Sequence, residues 1–157
     1  MKINHNQLIF GLFIFNFAIL ISAYFIEYIL KVPACTMCIY QRIPYFLSIL
    51  IIVIFFLKKI DFQKLIIILF LFSLINIGIS FYHIGIEQGF FNEISTCKDE
   101  INASTTKDLL NQLKSKGVVP CKEVGFTIFG LSLATINFIV NIGLILLYWV
   151  ILKNEKK

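Results

Sequence analysis

The chain has 157 residues, of which 59% are apolar and only 15% are charged, and its formal net charge is +5. A soluble domain averages about 25% charged residues, so this composition excludes an ordinary soluble globular protein. The length fits one domain, and we predict a single integral membrane domain over residues 1–157.

Four stretches of the sequence carry no charged residue, and they run over 3–26, 43–57, 65–86 and 124–152. A helix needs about 20 apolar residues to cross a bilayer core of about 30 Å. Three stretches reach this length. The second reaches it only if its helix starts near Cys38, and Pro44 would then kink that helix.

We therefore predict an all-α membrane protein, a four-transmembrane-helix bundle with a long outer loop. The predicted spans cover about 8–30, 38–57, 65–85 and 126–152, and the predicted outer loops cover about 31–42 and 86–125.

Lysine is concentrated at one end of this bundle. The N-terminus, the loop between the second and third spans and the C-terminus hold Lys2, Lys58, Lys59, Lys64, Lys153, Lys156 and Lys157. The short loop between the first two spans has only Lys31 and Arg42. Because short cytoplasmic loops are rich in lysine and arginine, both termini are predicted to face the cytoplasm. Topology thus accounts for the positive charge without nucleic-acid binding.

All four cysteines then lie on the outer side. Cys35 and Cys38 lie at the outer end of the second span, and Cys97 and Cys121 lie in the third loop. This is the side of the membrane on which disulfides persist.

Several kinds of site could use these cysteines. Haem attachment needs a histidine directly after the second cysteine, where Ile39 stands. A four-cysteine zinc site would normally repeat the short spacing, so no metal site is expected. Two structural disulfides remain an alternative, because a disulfide that closes a loop of about 25 residues stabilises a fold by roughly 3 kcal/mol. A bridge between Cys35 and Cys38 closes only a small ring, which is typical of thiol exchange and favours a redox dithiol.

Arg42 is a further candidate site residue. In a helix, Cys38 and Arg42 are i and i+4, and Cys35 is seven residues before Arg42, so the three share one face. A nearby positive charge and a helix N-terminus both favour the thiolate, which is the form that exchanges.

Three sequence segments together resemble the disulfide bond formation protein B (DsbB) family. They are "CTMCIYQR" before the second span, "YH" at the outer end of the third, and "PCKEVGFTIFGLSLATIN" entering the fourth. The resemblance covers the whole chain. It implies a quinone-dependent protein dithiol oxidase of the bacterial cytoplasmic (inner) membrane. Such an enzyme reoxidises a periplasmic or extracytoplasmic DsbA-like, thioredoxin-fold thiol oxidase and passes the electrons to ubiquinone or menaquinone.

The resemblance also implies a role for each cysteine. Cys97 would be attacked by the partner's thiolate and form the mixed disulfide. Cys121 would be the bonding mate of Cys97 and would exchange with Cys35. Cys38 would be the thiolate that lies against the quinone ring.

Three further residues take their expected roles from the same resemblance. Arg42 would support the negative charge of the reduced quinone, and His83 would contribute to the quinone site. Gln41 stands where the family often has an acidic residue. It keeps hydrogen-bonding capacity but lacks the charge.

The long connection from Glu87 to Thr127 fits this function. A quinone reaches its site through the bilayer, whereas a soluble partner needs a second cysteine pair on an accessible loop. Loops of this length are usually functional. Within it, residues 104–117 predict a short amphipathic helix with Gly117 at its C-cap.

Other intramembrane residues are predicted to serve packing. Asn16, Asn76, Asn137 and Asn141 are expected to hydrogen-bond between helices. Gly130 and Ala134 form a small-xxx-small pair on the fourth span. Glu27 is predicted to pair with Lys31 at i+4.

A different class of function remains as the alternative. The chain could be a non-enzymatic four-helix scaffold or transporter subunit whose outer loops are held by two structural disulfides.

Overall fold

A computed structural model describes residues 4–58, 60–92, 121 and 126–155. Its elements in chain order are α1 His5–Tyr28, α2 Thr36–Lys58, α3 Phe62–Glu87, β1 Thr127–Ile128, β2 Leu131–Ser132 and α4 Leu133–Glu155. Each of the four helices is long and apolar enough to cross a membrane. The predicted all-α four-helix membrane architecture is confirmed.

Each helix buries only a narrow stripe and exposes large apolar side chains on the rest of its surface. At 1.5 Å per residue, helices of 23 to 26 residues span about 34–39 Å, which exceeds the hydrocarbon thickness. The exposed apolar faces are therefore lipid-facing surfaces.

The bundle interior combines an apolar cluster with a chain of polar side chains. α3 packs against α2 and α4, and α1 packs against α2. Asn137 of α4 donates to Ser80 Oγ of α3 at 2.8 Å, and Asn141 donates to the Tyr45 hydroxyl of α2 at 2.8 Å. These bonds confirm the predicted interhelical role for Asn137 and Asn141. Asn16 donates to the Leu12 carbonyl of its own helix at 2.7 Å, and its side chain also interacts with the Tyr148 hydroxyl of α4.

α2 starts at the cysteine motif, as predicted. It begins at Thr36 and continues without interruption through Pro44 to Lys58. Ser48 lies one turn after Pro44, and its Oγ donates to the Pro44 carbonyl oxygen at 2.8 Å. The kink at Pro44 remains a prediction.

The C-terminal end of α3 is fixed by a glycine cap. Gly89 has a φ of 78°, a left-handed conformation that glycine adopts without steric cost. The Phe90 N–H donates to the Gly85 carbonyl at 2.8 Å, and the Gly89 N–H donates to the Ile86 carbonyl at 3.0 Å. These two bonds form a Schellman motif, which ends the helix just after Glu87.

The fourth span begins later than predicted, because a hairpin precedes it. β1 and β2 pair antiparallel, and the turn residues Phe129 and Gly130 have φ values of 52° and 80°. Positive φ at both turn positions is the backbone of a type I′ turn. Gly130 therefore lies in this turn rather than on a helix, and the predicted Gly130–Ala134 helix-packing motif is wrong. The predicted amphipathic helix over 104–117 lies outside the described residues.

The first turn of α4 is capped by Ser132. Its Oγ accepts a hydrogen bond from the Thr135 backbone N–H at 3.2 Å, as an N-cap serine does. The same Oγ donates to Glu87 Oε2 at 2.6 Å. Ser132 thus joins the start of α4 to the end of α3.

Replacing Gly85 with alanine should destabilise the C-terminal end of α3. A Cβ at this position would lie 2.1 Å from the Phe91 ring, so the ring must move. Crowding of this kind costs about 1–3 kcal/mol. Gly78→Ala in the same helix is the matched control, because nothing lies within 4 Å of its added Cβ. Detergent-induced unfolding of the two variants should show Gly85→Ala as the less stable; equal stability would contradict the packing described.

Candidate active site

The close cysteine pair forms the N-terminus of α2. Cys35 directly precedes the first helical residue, Thr36, and its Sγ accepts a hydrogen bond from the Cys38 backbone N–H at 3.3 Å. Cys35 thus takes the position and the contact of an N-cap residue. The Cys35 thiol also donates to Cys38 Sγ at 2.9 Å. The helix start therefore brings the two sulfurs together with Cys38 in its first turn.

The two sulfurs differ in how readily they can ionise. The hydrogen bond to Cys38, reinforced by burial, raises the pKa of the Cys35 thiol to about 12. Cys35 Sγ also lies 3.4 Å from His83 Nε2, and this contact acts in the opposite direction on the pKa. Cys35 is consequently the sulfur that keeps its proton at neutral pH.

His83 lies at the centre of a buried polar cluster between α2 and α3. Gln41 Nε2 donates to His83 Nδ1 at 3.1 Å. His83 Nε2 lies 3.6 Å from Glu87 Oε1, one helical turn further along α3. The side chains of His83 and Glu87 are 3% and 7% exposed, so both are held away from water.

Arg42 has two partners on α1. Its Nη1 donates to Glu27 Oε2, and its guanidinium lies over the Tyr24 ring at 4.8 Å from the centroid. The predicted Glu27–Lys31 pair is wrong, because α1 ends at Tyr28 and Lys31 has a φ of 54°, so no helical i+4 geometry exists there. Glu27 instead holds Arg42.

Cys121 lies beside the close pair. It is 1% exposed and packs in one cluster with Cys35, Met37 and Ile86. Three of the four predicted site cysteines therefore lie together at one end of the bundle. Cys97 lies outside the described residues.

An apolar cavity of about 240 Å³ opens next to Cys38. α1 and α4 both line it, with Ala23 of α1 and with Ile136 and Val140 of α4. Cys38, Gln41 and Arg42 of α2 contribute its polar end. His83 does not line this cavity. Its contacts are Cys35, Glu87 and Gln41, and of these only Gln41 lines the cavity. The predicted contact of His83 with a quinone stays a prediction.

Glu87, Ser132 and Glu27 belong to this site but were not predicted for it. Glu87 could have been found, because it is four residues after His83 and the two share a helical face. Glu27 and Ser132 reach the site only through the packing of α1 and the hairpin, which no local spacing encodes.

The fold and the site together define a class: a multi-pass membrane protein with a redox-capable dithiol at one end of its helix bundle. A family model described as "Disulfide bond formation protein DsbB" matches residues 5–151. The chain belongs to this family, and it is therefore a membrane disulfide oxidoreductase.

A curated relative matches most of the chain, but its name assigns it no function. An uncharacterized protein of Rickettsia prowazekii (strain Madrid E) is 27% identical over 135 residues, which cover 83% of this chain and 78% of the relative. No solved structure matches the chain.

The raised pKa of Cys35 should depend on Cys38. In the fully reduced protein, Cys35 is expected to resist alkylation by iodoacetamide at pH 9, because a thiol with a pKa of about 12 has little thiolate there. Cys38→Ala removes the main cause, so the pKa should fall and the alkylation rate at pH 9 should rise at least tenfold.

Mass spectrometry of the peptide around Cys35 measures this rate, and the urea-denatured protein supplies the rate for an unperturbed thiol. Identical pH profiles for the two folded proteins would refute the assignment of Cys38 as the cause.

Proposed function

We propose that this protein is a quinone-dependent protein dithiol oxidase, which renews the disulfide of a DsbA-like thioredoxin-fold thiol oxidase outside the cytoplasmic membrane. The observation that carries the proposal is the position of Cys38. Its thiol is hydrogen-bonded to a second cysteine, and it also lines a cavity whose remaining walls are largely apolar.

The residues around this cavity fit a quinone. A quinone ring with its apolar tail needs an apolar site that can be entered from the bilayer, and most of the residues that α1 and α4 contribute to this cavity are apolar. A second groove between the same two helices is lined by Gly11, Leu12, Gly143 and Leu144.

The polar end of the cavity also fits a ligand with carbonyl oxygens. Arg42 Nε is buried and has no hydrogen-bond partner among the described residues. Its N–H can therefore donate to a carbonyl oxygen, and the guanidinium charge favours a ligand that becomes negative. When bound, a quinone would supply a two-electron oxidant at this position.

The protein's own residues supply the thiol exchange. The Cys38 thiolate is proposed to face the quinone, and the N-terminus of α2 favours its negative charge. Cys121, buried beside the pair, is proposed to attack Cys35 of the oxidised pair, which releases Cys38 as the thiolate. Cys97 is proposed to be the sulfur that forms the mixed disulfide with the partner.

The proposed location is the bacterial inner membrane, with both termini in the cytoplasm and the cysteines on the outer face. Lysines at the ends of the spans support this orientation. Ubiquinone and menaquinone both fit a site of this chemistry.

The proposal is tested by Cys38→Ser in the full-length protein. With a reduced DsbA-like protein and a soluble quinone, the parent should oxidise the partner, and the variant should lose this activity at least a hundredfold. Circular dichroism and membrane insertion serve as the folding control. Activity retained in Cys38→Ser would disprove the proposed electron route, and a parent inactive with every quinone would favour the structural-disulfide scaffold.

Filling the cavity should interfere with the quinone and leave the thiols intact. Ala23 lines the cavity, so Ala23→Phe is expected to raise the KM for quinone at least tenfold. Ala18→Phe is the matched control, because Ala18 is exposed on the same helix and does not line this cavity. Disulfide exchange with the partner, measured without quinone, should be equal in both variants. Equal KM values would show that the quinone binds elsewhere.

A further inference from the structure

A cluster of polar groups beside Cys35 has no part in the thiol exchange described above. It comprises His83, Glu87 and Ser132, with contacts of 3.4 Å from Cys35 Sγ to His83 Nε2, 3.6 Å from His83 Nε2 to Glu87 Oε1, and 2.6 Å from Ser132 Oγ to Glu87 Oε2. A buried polar group destabilises the fold unless it has a hydrogen-bond partner. Their arrangement around one sulfur indicates that they act on it.

Cys35 needs help to lose its proton. When Cys38 carries the leaving group, its hydrogen bond no longer raises the pKa of Cys35, but burial of the thiol still does. Exchange requires the thiolate, so attack by Cys35 would be slow without a base. His83 Nε2 is the basic nitrogen within hydrogen-bonding reach of this sulfur.

Gln41 controls which nitrogen of His83 can accept that proton. Its amide Nε2 donates to His83 Nδ1, which leaves the proton of the neutral ring on Nε2. A half-turn of the same amide presents Oε1 instead, Nδ1 then carries the proton, and the Nε2 lone pair is free to accept from Cys35. The amide can therefore partner the ring in both states, whereas a carboxylate at position 41 could only accept.

Glu87 lies where it can pair with the His83 ring after a proton transfer. Once Nε2 takes a proton, the carboxylate 3.6 Å away forms an ion pair with the imidazolium, and the Ser132 hydroxyl holds that carboxylate in position. Glu87 acts through His83 and is thus a positioning residue. Among the described residues, the other titratable groups packed around Cys35 are Cys38 on α2, Tyr82 on α3 and Cys121.

We propose that His83 is the general base that takes the proton of Cys35 when Cys35 attacks the sulfur of Cys38, and that Glu87 stabilises the imidazolium so formed. This inference rests on the proposed function, in which the Cys35–Cys38 disulfide is regenerated. In the step, a bond forms between Cys35 Sγ and Cys38 Sγ. The bond from Cys38 Sγ to its leaving group breaks, the leaving group takes the electron pair, and the Cys35 proton moves to His83 Nε2.

Oxidised glutathione isolates this step without any quinone. In the full-length Cys97→Ala/Cys121→Ala protein, fully reduced, the Cys38 thiolate attacks glutathione disulfide and releases one glutathione thiolate. Cys35 then attacks Cys38 and releases the second. Acid quenching and mass spectrometry give the rate of each step, because the glutathione adduct at Cys38 is the intermediate.

His83→Gln should leave the first step unchanged and slow the second at least tenfold, since general bases typically contribute 10²–10⁴-fold. The adduct should then accumulate. Glu87→Gln should slow the second step by a smaller factor, with partial recovery in Glu87→Asp. His5→Gln is the control, because His5 is exposed and bonded to Glu155 at the other end of the bundle.

Two readouts separate a proton transfer from a structural effect. Added imidazole should restore the second step in His83→Gly, and the deficit of His83→Gln should shrink as pH rises toward 10, where hydroxide removes the proton directly. Equal second-step rates in the parent, His83→Gln and Glu87→Gln would overturn the proposal, as would a deficit that neither imidazole nor pH relieves. The glutathione test contains no quinone. Its result therefore does not depend on whether the protein has the proposed quinone-dependent function.

Discussion

The packing of the first turn of α2 against the last turn of α3 is the contact on which the site depends. It brings Cys35 to 3.4 Å from His83 and Gln41 to 3.1 Å from the same ring. The glycine cap at Gly89 ends α3 immediately beyond this contact, so the helix leaves room for the chain to turn away. A shift of either helix by one residue would rotate these side chains by about 100° and separate them.

The dithiol consequently has two chemically different surroundings. Cys38 faces an apolar cavity between α1 and α4, which suits a lipid-soluble electron acceptor. Cys35 faces a hydrogen-bonded cluster of imidazole, carboxylate and hydroxyl groups, which suits proton transfer. Oxidation of a thiol pair releases both electrons and protons, and in the proposed mechanism the two leave the pair in different directions.

The sequence predicted the helices well because bilayer crossing imposes a length and a composition that single segments reveal. It also predicted that α2 begins at the cysteine motif. The hairpin before α4 was missed, because Thr127 to Ser132 are mostly apolar and continue the hydropathy of the span. The Glu27–Arg42 pair was missed because it joins two helices, and only the packing of α1 against α2 creates it. The His83–Glu87 relation, which is local, was visible as a four-residue spacing.

The bond between Ser132 and Glu87 has a consequence for how the protein can vary. It joins the point where the long loop after α3 leaves the bundle to the point where the chain returns. The entropy of closing a loop between fixed ends grows only logarithmically, by about 0.6 kcal/mol for each doubling of its length. Insertions and deletions between these anchors therefore cost little stability, so the region proposed to meet the soluble partner is free to diverge with that partner while the buried dithiol keeps its geometry.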